Sequence, residues 1–272
     1  MFNLKDRVAV ITGAAGGIGR GIALALAKRG CHLALSDIDE KALAKTAAEF
    51  AGKGIRVTQY RLDVSNAEEI AAFPARVLAD HKKVDLLFNN AGVAIGGTFE
   101  QVSEKDFDWL LSINLFGVIR MTRAFMPLLR ATDEARIVNL SSLFGLIAPP
   151  GQTAYAASKF GVRGFSNALR HELEMEGAKI GVTVVHPGGI ATSIAKNARV
   201  PAGMNQGDIE KQKKEFEAFL RMPPEKAGEI IVHAVEKRKA RVLVGNDAKA
   251  AGFIERLFPV NYWKLLGRAM KG

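Results

Sequence analysis

Cysteine is nearly absent from the chain. One residue, Cys31, occurs among 272, so no intrachain disulfide can form, and such usage fits a reducing compartment, here read as the cytoplasm. Cys31 stands in the apolar run CHLALSD and reads as packing. No stretch approaches the ~18 continuous apolar residues of a membrane-spanning helix. The opening MFNLKDRVAV enters a strand pattern at once, so no signal peptide is expected. The five histidines fall at no metal-ligand spacing, and no metal centre is expected. Internal repeats, low-complexity tracts and flexible linkers are also missing. A chain of 272 residues with 48% hydrophobic and 24% charged residues suits one large globular domain and is short for two.

What is present is alternation. Short apolar, β-branched runs occur at RVAVIT (7–12), CHLALSD (31–37), IRVTQYRLD (55–63), VDLLFNNAG (84–92), RIVNLSS (136–142), KIGVTVVHP (179–187) and RVLVG (241–245). Helical patterns separate them, including DEKALAKTAAEF, AEEIAAFPARVLADHK with a kink or break at Pro74, and one long helix through DFDWLLSINLFGVIRMTRAFMPLLR. The pattern predicts an α/β fold: a doubly wound, Rossmann-like parallel sheet of about seven strands with helices on both faces. Ligands then sit beyond the carboxyl ends of the strands.

The first strand runs directly into TGAAGGIG, with Gly13, Gly17 and Gly19, and then into the helical RGIALALAKRG. Glycines there turn the chain, admit a pyrophosphate to the backbone, and let helix pack on strand, while the helix N-terminus presents free N–H groups. The spacing is G-x-x-x-G-x-G, not the commoner G-x-G-x-x-G. Asp37, at the end of the second strand, can accept bonds from the ribose hydroxyls of an adenosine and would repel a 2′-phosphate there. The cofactor expected is therefore NAD, with NADP the less favoured choice. Asp37-Ile-Asp-Glu40 also reads as a capping box for the next helix, and both readings stay open.

A second group of residues suggests proton chemistry. Tyr155 and Lys159 lie one helical turn apart, and Ser142 ends a strand thirteen residues before Tyr155. A free phenol titrates near ~10. An ammonium four residues on shares its helix face and would hold it lower. Ser142 could then donate to a substrate oxygen while Tyr155 moves the proton.

With these motifs in order, the chain resembles the short-chain dehydrogenases/reductases over residues 5 to about 245. The resemblance rests on TGAAGGIG, LDV (62–64), NNAG (89–92), Asn114 in SINLFG, Ser142, YAASK (155–159) and PGGIAT (187–192). It implies that Asn114, Ser142, Tyr155 and Lys159 are catalytic, with Lys159 also holding the nicotinamide ribose. It places Gly13, Gly17, Ile18 and Gly19 at the pyrophosphate, and Asp63 and Val64 at the adenine. Asn90, Ala91 and Gly92 would line the adenosine ribose, and Pro187, Ile190 and Thr192 the nicotinamide end. The matching Asn in the family distorts its helix and holds a water linked to the lysine. The family's usual basic positions for a 2′-phosphate hold Gly16 and Ile38 here, which again favours NAD. The activity implied is the interconversion of an alcohol with a ketone or aldehyde, by a homodimer or homotetramer.

The substrate side is less explicit. VAIGGTF (93–99) and LFGLIAPPG (143–151) are apolar and would border the pocket. Residues 193–222 form an insert expected to act as a lid, in which Ile209, Phe216, Phe219 and Leu220 can share a helix face with Lys211, Lys213 and Lys214 mostly off it. That face suggests a lipophilic substrate or, equally, packing on the body. His186 beside the PGG turn reads as a packed strand histidine. The catalytic domain is expected over 1–250, followed by a basic tail at 251–272. The net charge of +10 is partly local, in KRKAR (237–241) and in that tail. There Phe253, Leu257, Phe258, Tyr262, Trp263, Leu265 and Leu266 mix with Lys264, Arg268 and Lys271. Such a stripe suits a weak peripheral membrane contact, or packing on the domain or a neighbouring subunit. No nucleic-acid reading motif accompanies the charge. A non-catalytic dinucleotide-binding or membrane-associated protein on the same fold is the alternative.

Overall fold

The computed structural model describes residues 1–201, 205, 207, 210, 214 and 217–269. The β-branched runs become β1 (Val8–Thr12), β2 (His32–Asp37), β3 (Val57–Arg61), β4 (Leu86–Asn89), β5 (Ala135–Leu140), β6 (Ile180–Pro187) and β7 (Arg241–Val244). They form one sheet in the order β3-β2-β1-β4-β5-β6-β7, with every neighbouring pair parallel. Parallel pairs need crossovers, and helices supply them. The described α-helices are α1 (Gly17–Ala27), α2 (Glu40–Ala48), α3 (Ala67–His81), α4 (Glu104–Leu111), α5 (Val118–Arg130), α6 (Thr153–Met175), α7 (Pro224–Glu236), α8 (Asn246–Leu257) and α9 (Tyr262–Ala269).

Two cores follow from the two-residue period of a strand. Ala9, Ile11, Leu33, Leu35, Leu86 and Phe88 pack with Leu26 of α1 and with Ile231 and Val235 of α7. The alternate residues Val10, Ala34, Leu87 and Ile137 pack on the other face with Phe73 and Val77 of α3 and Met121 and Phe125 of α5. Both faces are therefore buried, as the near-continuous apolar strands require. The order of strands reverses between β1 and β4, which opens a crevice at their carboxyl ends.

Two local expectations are sharpened. The long helix over 106–130 is not uniform: α4 ends at Leu111, Ser112–Gly117 form a π-helical segment, and α5 begins at Val118. Asn114 stands inside that segment with its side chain fully buried. An asparagine that bonds elsewhere competes with the helix ladder, and single π turns absorb the misfit. Pro74 does not break α3, which continues from Ala67 to His81. Pro74 itself is half-buried, between fully buried Phe73 and exposed Ala75.

Candidate active site

The β1–α1 turn forms one end of the crevice. Gly13 and Gly17 have φ of 65° and 53°, and a Cβ at Gly19 would overlap the Gly13 carbonyl. Gly16 caps α1 and no side chain bonds its first turn, so the helix presents unpaired N–H groups and a positive end to the crevice. That is the donor set a pyrophosphate needs. The turn is braced from β4: the Asn90 Nδ2 donates to the carbonyls of Thr12 and Gly13, each at 2.9 Å. The Thr12 Oγ1 accepts the N–H groups of Asn90 and Ala91, each at 3.0 Å. Asn90 thus lines the crevice, but its amide nitrogen is used in the brace. Thr12 opens the TGAAGGIG motif, but its bracing part was not assigned from the sequence, since it depends on pairing between distant strands.

Asp37 lines the crevice at the end of β2. Its Oδ2 accepts the Ala15 N–H at 2.9 Å and its Oδ1 the Asp39 N–H at 3.1 Å. The cap of α2 is Asp39, whose side chain accepts from the Ala42 N–H at 3.0 Å. The capping function considered for Asp37 therefore belongs to its neighbour. Asp63 and Val64 line the same region, with the Asp63 Oδ1 accepting from the Ser65 N–H at 2.8 Å. Gly92 lies beside Asn114 and Lys159: a Cβ there would be 3.2 Å from the Asn114 Oδ1 and 3.4 Å from the Lys159 Nζ.

Ser142, Tyr155 and Lys159 meet at the middle of the crevice. The Lys159 Nζ is 5.6 Å from the centre of the Tyr155 ring and donates to the Leu140 carbonyl at 3.1 Å. An ammonium has three donors, so this bond leaves two. Asn114 is held from both ends: its Oδ1 accepts the Val93 N–H at 2.8 Å and its Nδ2 donates to the Val93 carbonyl at 2.9 Å. The same Nδ2 reaches the Ser158 Oγ at 3.3 Å. Burial pushes the Tyr155 phenol above its ordinary value, and the Ser142 hydroxyl pulls the other way by bonding the ionised form. The expectation that Lys159 holds the phenol low is therefore corrected. Burial sets the direction and only the Ser142 hydroxyl opposes it; burial also brings Lys159 down to about 8. His186 is a packed strand histidine, fully buried, and burial lowers it to about 4. Its Nδ1 faces the Ser142 carbonyl at 2.9 Å. A neutral ring must carry its proton there, so His186 steadies the serine's backbone.

The loop after β6 forms the far side of the crevice, where Pro187, Ile190 and Thr192 all line it. A Cβ on Gly17 would come within 3.1 Å of the Thr192 Cγ2, so the glycine turn and this loop face each other closely. Much of the remaining lining is apolar: Val93, Ala94, Trp109, Ile113, Leu143, Phe144 and Ile194, with Phe219 and Leu220 from the end of the expected lid, alongside the polar Ser193 and Asn197. The other apolar positions of that lid face, Ile209 and Phe216, lie outside the described residues, as do Lys211 and Lys213. Arg199, early in the 193–222 segment, is held in place. Its guanidinium stacks 3.4 Å from the centre of the Trp109 ring and donates to Asp106 at 2.8 Å, while its backbone bridges to Ile95. The whole crevice encloses about 610 Å³.

The tail folds back beside this site. Tyr262 and Leu266 pack on Leu143, Ile147 and Ala251, and the Tyr262 hydroxyl accepts the Ala148 N–H at 2.9 Å. Phe253, Leu257, Phe258 and Leu265 remain exposed. Lys271 lies outside the described residues. No described helix is long and apolar enough to cross a membrane.

Comparison with known proteins agrees with this architecture. The short chain dehydrogenase family profile matches residues 7–202. A putative oxidoreductase, SadH, of Mycobacterium tuberculosis is 42% identical over 267 residues, covering 98% of this chain and 96% of that protein. Oxidoreductase UcpA of Salmonella typhimurium is 38% identical over 198 residues, or 72% of this chain and 74% of UcpA. Among solved structures, a short chain dehydrogenase/reductase from Burkholderia phymatum in complex with NAD superposes with a TM-score of 0.88 at 31% identity, covering 95% of this chain and 96% of that one. A metagenomic short-chain oxidoreductase in complex with NADP gives 0.71 at 28% identity, covering 89% and 98%. The sheet order, the glycine turn and these matches lead to one conclusion: the chain belongs to the short-chain dehydrogenase/reductase family and is an oxidoreductase with a nucleotide-binding Rossmann fold.

Proposed function

We propose that the protein interconverts a lipophilic alcohol and its ketone or aldehyde, with NAD(H) preferred over NADP(H). One observation carries the reading. Ser142, Tyr155 and Lys159 converge in a crevice that has a glycine turn and an acidic strand end on one side and an apolar wall on the other. Bound there, the dinucleotide supplies the hydride acceptor or donor. Tyr155 passes the proton to or from the substrate oxygen. Ser142 donates a hydrogen bond to that oxygen as charge develops on it. Lys159 keeps two donors for the ribose and the phenolate, and Asn114 holds the Val93 backbone beside them. The preference for NAD is supported by Asp37, which lines the crevice where a 2′-phosphate would lie, and by the exposed, uncharged Ile38 after it. The apolar lining from Val93 to Leu220 supports a substrate without charge near its reacting carbon.

A spectrophotometric scan of alcohols with NAD and with NADP tests the reading. Lipophilic secondary alcohols should reduce NAD faster than short polar diols do. Tyr155→Phe should lower turnover by about 10²- to 10⁴-fold, the usual worth of a positioned acid or base, and leave NADH affinity nearly unchanged. A Tyr155→Phe enzyme within tenfold of wild type would refute the assignment.

A further inference from the structure

We infer that Asp247, at the start of α8, is a positioning residue for the loop 187–192 and so for the nicotinamide end of the site; this rests on the dinucleotide reading above. The Asp247 Oδ2 accepts the Gly189 N–H at 2.6 Å, a short charge-assisted bond. The chain is shaped around that carboxylate. A Cβ at either Gly188 or Gly245 would overlap it, and Gly245 adopts φ of 106°, a conformation that side chains rarely take. Two segments far apart in sequence therefore omit side chains where they meet Asp247.

The loop is held on its other side as well. The Gly189 carbonyl accepts the N–H groups of Arg221 and Met222, each at 3.0 Å, and the Ala191 N–H donates to the Met222 carbonyl at 2.8 Å. Gly188 donates to the Val244 carbonyl at 2.9 Å. Gly189 is thus pinned between α8 and the end of the lid segment. One residue later Ile190 enters the crevice lining, and Thr192 follows. Asp247 does not line the crevice and acts through this loop. Displacing groups that orient a reactant by ~1 Å can cost about a hundredfold in rate, so the anchor bears on chemistry and not on folding alone. The competing role is structural: a carboxylate in the first turn of α8 also suits the helix dipole.

Two substitutions separate the roles. Asp247→Asn removes the charge and keeps an acceptor in place for the Gly189 N–H. Asp247→Glu keeps the charge in the first turn but is too long for the gap between Gly188 and Gly245. Calorimetric titration with NADH and with ADP-ribose, which lacks the nicotinamide, reads the outcome. Positioning requires Asp247→Glu to weaken NADH by about tenfold or more and ADP-ribose by less than about twofold, with Asp247→Asn close to wild type for both. Equal weakening of the two ligands by Asp247→Glu, no weakening of either, or a loss in Asp247→Asn that matches Asp247→Glu overturns the inference. Wild type that binds neither ligand removes the dinucleotide reading and the inference together. Wild type that binds both, with variants that fail to discriminate, removes the inference alone.

Discussion

Lys159 is the crevice residue whose charge burial brings close to neutral pH. Held at about 8 instead of its ordinary 10.5, it stays charged at neutral pH and loses its proton in mildly alkaline solution. Between those two values the unfolded chain keeps a proton that the folded chain has shed, so this group's contribution to stability rises with pH across that window. The same loss of charge removes a cation from the crevice. NADH affinity should therefore weaken as pH rises through about 8. Fluorescence titrations on either side of that value check this, and Lys159→Met should flatten the profile. Asp37 needs a different readout, because it also accepts the Ala15 N–H of the glycine turn. Asp37→Ala should weaken both nucleotides by loosening the turn, while the ratio of kcat/KM for NAD to that for NADP falls. An unchanged ratio would leave Asp37 with the brace only.

At the scale of elements, the π segment and the loops around it decide the geometry. Asn114 closes a two-bond ring with the Val93 backbone. Asn114→Ala removes both side-chain partners of the part-buried Val93 N–H and C=O, at a cost of about 1 kcal/mol each. It should lower the melting temperature and, by freeing Val93, lower kcat as well; calorimetry and initial rates measure the two effects. The helical period of 106–130 was legible and the resemblance pointed to a distortion at Asn114, but its form was not, because nothing in local periodicity reveals that Asn114 will bond a loop twenty-one residues earlier. The role of Asp37 was ambiguous for a similar reason. By spacing Asp37 could either face a ribose or cap α2; in the folded chain Asp39 is the cap and Asp37 braces the glycine turn. Tyr155 was found by spacing, yet its acidity was judged from one neighbour. Burial, a property of the whole packing, reversed the direction.

Over the whole molecule, stability and chemistry concentrate at opposite ends of the sheet. At the amino end, fully buried Asp85 accepts the Val8 N–H at 2.8 Å and pairs with Arg7 at 2.7 Å. Arg7 also bonds Asp133. Removing Asp85 strands the buried Val8 N–H, at about 1–3 kcal/mol, while Arg7 keeps Asp133, and in a domain of this size that lowers Tm on the order of 5 °C. Asp85→Ala should show that loss in a thermal scan while the surviving folded protein binds NADH as wild type does. A weakened NADH affinity would mean that the two ends are coupled through the sheet. Cys31 belongs to the same end. Its thiol is buried and held well above the ordinary range by burial, so it should react with thiol reagents only on unfolding.

The alternation of β-branched runs with amphipathic ones was enough to specify a parallel sheet flanked by helices, since each run's period dictates which faces must be covered. The glycine spacing and the tyrosine–lysine pair were equally readable, because their geometry is confined to one turn of backbone or helix. Contacts made across long separations had no such local signature. The Asp247 carboxylate on Gly189, the His186 ring on the Ser142 carbonyl and the Tyr262 hydroxyl on Ala148 arise only when β6, α8 and α9 come together at the crevice. Hydrogen bonds between remote segments depend on distance and direction in the folded chain, and neither is written in the order of residues along it.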